Sequence, residues 1–498
     1  MRNVSFFEHI PHAITNIFSI FAEKKSDMLV GRTEELRVLK QAELSDESKF
    51  VAVYGRRRVG KTFLVREAFK HHFAFYHTGI ANESKTVQLA EFKKSLSLIG
   101  KVKRGRLKDW YDAFNQLTKL LEQSTDKKKI VFIDEIPWMD SPRSNFVAAL
   151  EHFWNGWASA RQDILLVICG SATSWIINKV IKNHGGLHNR VSVRIHLKPF
   201  TLGECEQYAK ELNLHFNRRQ ILEGYMVMGG IPFYWSQMDG SRSLVQNIDH
   251  LFFEEDGNLR HEFDDLYDSL FKQPKPYLGI IEALATKKVG MSRTEIIKYT
   301  RQTDNGKLTE YLENLEYCGF IRKYNCIGMK AKNALYQLID NYTLFYYKFI
   351  KDTVINDPHY WNKIAGTPEY NTWCGLAFER VCLQHTEQIK VKLGIQGVIT
   401  TVYSWSVAGT KEMPGAQIDL LIDRSDNVIN LCEIKYSKAS FNITNRIDSN
   451  LQNKRERFVE ETKTTKAVHL TMITTLGLVD NSYSSDIQSV VTMDDLFK

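Results

Sequence analysis

The amino-acid sequence predicts an α/β fold led by a sheet that presents a phosphate-binding loop, with a second α/β unit at the far end. Three stretches predict it. Phe50-Val51-Ala52-Val53-Tyr54 is a short, apolar, β-prone run leading into Gly55-Arg56-Arg57-Arg58-Val59-Gly60-Lys61-Thr62, which fits G-x-x-x-x-G-K-[ST]. Ile130-Val131-Phe132-Ile133-Asp134-Glu135 is an apolar strand ending in two acids. Ile418-Asp419, then Cys432-Glu433-Ile434-Lys435, puts acids and a lysine on two strands joined by the Asp426-Asn427 turn. A chain of 498 residues is too long for one core, so two to four domains are expected.

The loop needs this order of residues. Glycines let backbone N–H groups curl around an anion, and the helix that begins with Phe63-Leu64-Val65-Arg66-Glu67 adds the partial positive charge of its N-terminus. Val59 and the three loop arginines fill the turn between Gly55 and Gly60. Lys61 is placed to reach the β- and γ-phosphates of ATP, and the Thr62 hydroxyl to ligate Mg²⁺. In Ile130–Glu135, Asp134 would hold Mg²⁺ through water and Glu135 would polarise the water that attacks the γ-phosphate.

The remaining strands of this unit follow from short apolar runs. Ala74–Thr78 reads as a second strand, and Trp110 to Leu121 as a helix with Trp110, Phe114, Leu117 and Leu121 on one face. Ile164–Cys169 is a buried strand ending at Gly170-Ser171, which makes Ser171 a sensor of the γ-phosphate. Asn189 to Leu197 alternates as a fifth strand. Arg190 or Arg194 there is a candidate finger for transition-state charge, in cis or from a neighbouring subunit, a role worth about 10³–10⁵ in rate; a surface position on the strand is the equal alternative.

Val30-Gly31-Arg32-Thr33-Glu34-Glu35-Leu36, the G-R-R-R-V-G-K-T loop, F-I-D-E, C-G-S and R-I-x-L-x-P-F together resemble the archaeal-type (DEXX-box) ATPase family, relatives of AAA+ and STAND ATPases. Gly229-Gly230-Ile231-Pro232-Phe233-Tyr234 is similar to that family's G-G-x-P element. The resemblance implies an ASCE-type, AAA+-like core over residues 29–200 with Gly31 and Arg32 near the adenine, and a helical lid over 201–272.

Beyond Lys275 the pattern turns to short helices. Ser292-Arg293-Thr294-Glu295 fits a capping box, Asp304-Asn305-Gly306 a turn, and Leu308, Leu312 and Leu315 share a helix face that Gly319 ends. Phe320–Tyr324 and Ala334–Leu338 read as a hairpin whose tip carries Lys330, Lys332 and Asn333. This order resembles a winged helix, over 273–352, the neighbour the family resemblance implies. In a DNA-binding version Lys307, Thr309 and Glu310 would face a groove; in a packing version they would not.

Past Pro358 and Pro368 a new unit begins, over 353–498: a helix from Trp373 to Lys392, strands at Val398–Trp405, Gln417–Ile422 and Val428–Tyr436, a helix near Ser449–Glu461, and a strand at Ala467–Ile473. Residues two apart in a strand share a face, so Glu433 and Lys435 do, and the preceding antiparallel strand can set Asp419 beside them. The arrangement resembles a restriction-endonuclease-like domain of the PD-(D/E)xK nuclease type. The resemblance implies Mg²⁺ or Mn²⁺ on Asp419 and Glu433, Glu379 completing the metal shell, and Lys435 orienting or deprotonating the attacking water.

Composition agrees with this class. Hydrophobic residues at 43% and charged residues at 25% describe an ordinary globular chain, and a net charge of +8 is compatible with a polyanionic partner. Cys169, Cys205, Cys318, Cys326, Cys374, Cys382 and Cys432 lack C-x-x-C pairs, favouring a reducing cytoplasm over disulfides or zinc. No apolar run has membrane-spanning length, and residues 13–22, within an N-terminal helix over 1–28, read as a docking segment. The expected function is an ATPase coupled to a metal-dependent nuclease acting on nucleic acid, DNA in the first instance, with a homo-oligomer allowed. The alternatives are a STAND-like assembly switch and a DNA-binding regulator.

Overall fold

Runs of Val, Ile, Leu and Phe without alternation form strands buried on both faces, as a parallel sheet covered by helices requires. In the computed structural model three strands of the first unit do this, β1 (Lys49–Tyr54), β3 (Lys129–Asp134) and β4 (Ile164–Gly170), while β2 (Phe75–Thr78) alternates between buried and half-buried residues. With β5 (Val193–His196) they make a five-stranded parallel sheet of order β2-β3-β4-β1-β5. The structure describes residues 29–182, 185–187, 189–271, 273–325, 327, 334–351, 357–410 and 414–498. The N-terminal helix expected over 1–28 and the hairpin tip with Lys330, Lys332 and Asn333 lie outside them.

Helices α1 (Thr33–Leu44) and α2 (Lys61–Ala68) flank the sheet, and α3 (Lys85–Ile99), α4 (Trp110–Gln123) and α5 (Phe146–Gly156) follow in the chain. The predicted stripe is buried: Trp110, Phe114, Leu117 and Leu121 of α4 pack with Phe92, Phe146 and Phe153. The fifth strand corrects the sequence reading. It begins at Val193, and Asn189-Arg190 form a turn because Asn189 takes a left-handed backbone (φ 55°) that a strand cannot hold. Arg190 is exposed in that turn.

After β5 come α6 (Leu202–Glu211), α7 (Arg218–Met228) and α8 (Glu262–Leu270). Gly229 (φ 63°) ends α7, and Gly230 passes so close to Phe200 that a Cβ would sit 1.9 Å from its carbonyl oxygen. The middle unit is α9 (Lys275–Ala285), β6 (Met291–Ser292), α10 (Arg293–Thr300), α11 (Gly306–Tyr317), β7 (Ile321–Tyr324) and β8 (Leu335–Leu338), with an antiparallel sheet of order β6-β8-β7. The capping box forms as read, Ser292 accepting from Glu295 N–H and Glu295 from Ser292 N–H.

The last unit has α12 (Pro368–Gln384), then β9 (Thr400–Val407), β10 (Ala416–Arg424), β11 (Val428–Lys435), α13 (Asn445–Thr462), β12 (Ala467–Thr474) and β13 (Ser489–Thr492). Strands β9, β10 and β11 pair antiparallel and β11, β12 and β13 parallel, in the order β13-β12-β11-β10-β9. One sheet face packs Leu451 and Phe458 of α13 with Trp405 and Leu431. The other joins α12 in a core that runs without a break through the middle unit and lid to the first sheet.

His385 is one seam of that junction. Its Nε2 accepts from Leu202 N–H at 3.0 Å and its Nδ1 donates to the Val381 carbonyl at 2.8 Å, so the ring is the neutral Nδ1–H tautomer. Burial pushes its pKa down to about 4, and does the same to His77 within β2. The unfolded chain takes up these protons near pH 6.5 and the folded chain only near 4. Stability should therefore fall as pH drops from about 6.5 to 4, by about 1.4 kcal/mol per pH unit per histidine. Thermal melts of wild type and His385→Gln over pH 7.5–4 check this, the variant showing the shallower loss.

Candidate functional site

The phosphate loop lies between β1 and α2, at the carboxyl end of the parallel sheet where such sheets take ligands. Gly55 (φ 147°) and Gly60 (φ 90°) hold backbone conformations that side chains resist, and a Cβ on Gly55 would meet the Leu197 carbonyl oxygen at 2.2 Å. Thr62 Oγ1 donates to Asp134 Oδ2 at 2.7 Å. The two groups expected to share Mg²⁺ thus converge, and their oxygen chemistry fits that ion. Lys61 Nζ donates to the carbonyl of Arg56 at 2.9 Å, folded back onto its own loop.

Glu135 sits one residue past β3 with φ 44°, and its Oε2 accepts from Ser171 Oγ at 2.9 Å and Ser171 N–H at 3.2 Å. The β4 terminus therefore holds the water-polarising candidate in place. Arg32, also left-handed (φ 59°), turns inward, donates to the Lys198 carbonyl at 2.8 Å and stacks over Phe200. With Thr201, Gly230 and Asn341 it lines a cavity of about 570 Å³ whose far wall includes Gln384 and His385 of the last unit.

The three loop arginines reach away from the loop with their side chains. Arg56 forms a buried ion pair with Asp340, its Nη2 donating to Oδ2 at 3.2 Å. Arg57 donates to the Asp265 carbonyl, and Arg58 pairs with Glu262 while lying over Phe233. Burial raises the Glu262 pKa despite the Tyr234 hydroxyl at 2.7 Å and Arg58. The loop is thus clamped to the lid and to the middle unit.

Residues 29–238 match the model of an ATPase domain found predominantly in Archaea. These residues form a P-loop ATPase domain. Over 357 residues the chain is 26% identical to an uncharacterized protein of Methanocaldococcus jannaschii, covering 71% of this chain and 76% of that protein. A Walker-type ATPase of Pyrococcus abyssi superposes with a TM-score of 0.44 at 19% identity, over 64% of this chain and 95% of its own. The ORC2 protein of Aeropyrum pernix does so with 0.38 at 14% identity, over 72% and 96%.

Away from the ATPase domain, the second set of predicted residues gathers where α12 meets β10 and β11. Leu420 and Cys432 are the last pair of the β10–β11 ladder, with Asp419 and Glu433 the next residue on each strand, and β10 shifts its register against β9 between Ile418 and Leu421. Glu379 of α12 is half-buried near Asp419, and burial followed by the Asp419 charge raises its pKa. Lysines occupy all three acids. Lys288 Nζ lies 2.7 Å from Glu379 Oε2 and 3.8 Å from Asp419 Oδ2, while Lys435 and Lys454 each lie 2.7 Å from a Glu433 oxygen. Among the described residues no group of three or more His, Cys, Asp or Glu is arranged to hold a metal ion. The three-acid metal shell expected from sequence is therefore not assembled in this arrangement.

Burial disfavours the charge of Lys435, but Glu433 outweighs that and raises its pKa. Lys288, Asp340 and Glu262 were invisible to sequence reasoning, being single charges without a local pattern; Lys454, which the sequence offers as a nucleic-acid contact or a solvated position, pairs with Glu433. Lys307 and Glu310 line a groove shared with Trp138, Trp175 and Lys179 of the ATPase domain. That face of α11 looks toward the ATPase domain. No helix among the described residues is long and apolar enough to cross a membrane.

Proposed function

We propose that the ATPase domain drives or gates a metal-dependent, nuclease-like C-terminal domain that acts on nucleic acid, with DNA as the first substrate to test. The observation that carries this reading is that Asp419 and Glu379 meet at one ammonium, that of Lys288, while Glu433, next to the last β10–β11 pair, meets Lys435. The middle unit, with its capped helices and hairpin, is read as a winged helix used for packing and coupling.

At the nucleotide, loop N–H groups and Lys61 would bind the phosphates once Lys61 leaves the Arg56 carbonyl. Glu135, held by Ser171, would orient and polarise the attacking water. Thr62 and Asp134 would hold Mg²⁺, which neutralises charge developing on the phosphoryl oxygens. At the second site Asp419 and Glu433, with Glu379, would hold Mg²⁺ or Mn²⁺ once the lysines paired with them are displaced; the all-oxygen donors suit either ion, which would polarise the phosphodiester. Lys435, as an ammonium, would orient water and offset charge on the transferred phosphate.

The test is cleavage of labelled single- and double-stranded DNA, and of RNA, with Mg²⁺ or Mn²⁺. Glu433→Ala is expected to lower the cutting rate by at least about 10²-fold, and Lys61→Ala to remove any ATP dependence. Cutting that persists unchanged in Glu433→Ala would end the nuclease half of the reading. A second reading, a STAND-like switch in which ATP controls assembly, is favoured by the loop arginines clamped to Glu262 and Asp340. It predicts a mass change with ATP in light scattering that Lys61→Ala abolishes.

A further inference from the structure

We propose that Lys288 is a built-in counter-cation of the C-terminal acidic site, holding the position between Glu379 and Asp419 that a divalent ion needs. The inference rests on the nuclease-like reading and adds how that site is kept closed.

Lys288 belongs to the middle unit, on the turn between α9 and β6, and its ammonium reaches across the junction. It lies 2.7 and 3.0 Å from the two Glu379 oxygens and 3.8 Å from Asp419 Oδ2. Those contacts place a cation where two carboxylates of different elements converge. The backbone of the same residue is gripped from both sides. Its carbonyl accepts from Arg380 Nη2 at 2.5 Å and from Gln337 Nε2 of β8 at 2.7 Å. The next carbonyl, of Val289, accepts from the Tyr324 hydroxyl of β7. Gly290 (φ 87°) then lets the turn pass β8 where a Cβ would meet the Tyr336 carbonyl at 2.3 Å.

Arg380 is buried beside Glu379 in sequence, yet it spends this donor on the Lys288 backbone. The exchange is reciprocal: the C-terminal unit holds the turn through Arg380, and the turn sends Lys288 onto Glu379. A surface pair formed by chance would not come with its backbone fixed both by its own unit and by the neighbouring one. With Lys435 and Lys454 on Glu433, the three acids face three ammonium groups. A divalent ion entering between Glu379 and Asp419 must first displace Lys288, so the middle unit sets the metal affinity of the site.

The test is Mn²⁺ binding to the full chain without nucleotide, read by electron paramagnetic resonance. Lys288→Met should tighten binding at a site sensitive to Asp419→Ala by about tenfold or more, since it removes the competing charge. Lys288→Arg, which keeps the charge, should bind like wild type. The Lys288 side chain is 37% exposed, so these variants should fold; Lys288→Gln provides a second neutral form should Lys288→Met melt early. If both neutral variants bind no more tightly than wild type while Asp419→Ala still removes a site, the counter-cation role is wrong and the metal site stands. If no variant shows a site sensitive to Asp419→Ala, the nuclease-like reading falls, and this inference with it.

Discussion

Glu135→Gln should bind ATP with near wild-type affinity and lose about 10²–10⁴ in turnover, the range for removing a positioned general base. The argument is local. Gln keeps the side-chain length and one acceptor oxygen, so the hydrogen bonds from Ser171 Oγ and N–H can persist and the left-handed backbone at residue 135 need not move. In the proposed reading the phosphate contacts would come from other residues, the loop N–H groups and Lys61. What changes is the ability to accept a proton from water. Steady-state phosphate release together with a fluorescent-nucleotide titration separates the two quantities. Turnover within a few-fold of wild type would reassign the water-activating acid, whereas lost binding would mean that Glu135 supports the loop.

The parts legible in the sequence are those whose chemistry is contiguous. Gly55 to Thr62 carries its own turn, its own helix N-terminus and its own cation, so eight residues state the site. The β3 and β4 runs are legible because both faces are buried, and Ser292 with Glu295 because a capping box spans four residues. Strand β13 was missed: Ser489–Thr492 is four residues long and half-buried, too short to carry a pattern. The start of β5 was misplaced because alternation continued through Asn189, whose left-handed backbone is a turn property. The clamps were missed for a different reason. Arg56 meets Asp340 across 284 positions and Lys288 meets Glu379 across 91, and a single charge in a hairpin end or a turn says nothing about a partner that far away. Sequence pattern gave both acidic sites their strands, but only the packing of the units shows that lysines hold the second one.

Asp340→Ala should lower stability by about 3–5 kcal/mol, the range for leaving one partner of a buried ion pair without its counter-charge. Arg56 and Asp340 are 4% and 5% exposed, and Arg56 also lies over the Phe320 ring at 4.6 Å. Burial alone would disfavour the guanidinium, and Asp340 outweighs it, raising the pKa. Asp340 has further work: its Oδ2 accepts from Thr343 N–H at 2.9 Å and Thr343 Oγ1 at 2.6 Å, capping the Asn341–Phe345 helix. Asp340→Asn keeps part of the cap and loses the charge, so it should fall between wild type and alanine. Arg56→Met with Asp340→Leu removes both charges and should recover much of the loss. Differential scanning calorimetry of the four proteins reads the order, and equal melting of Asp340→Ala and wild type would show that water reaches the pair. The position of this pair gives it a second consequence. Asp340 lies two residues past the end of β8, and Gln337, three residues earlier, donates to the Lys288 carbonyl beside the acidic site. Lys61 meanwhile rests on the carbonyl of Arg56, the contact that bound phosphate would take away. One short strand thus connects the nucleotide loop to the lysine that closes the second site. If that connection transmits nucleotide state, ATP should change Mn²⁺ affinity at the acidic site in wild type and leave it unchanged in the Arg56→Met, Asp340→Leu pair.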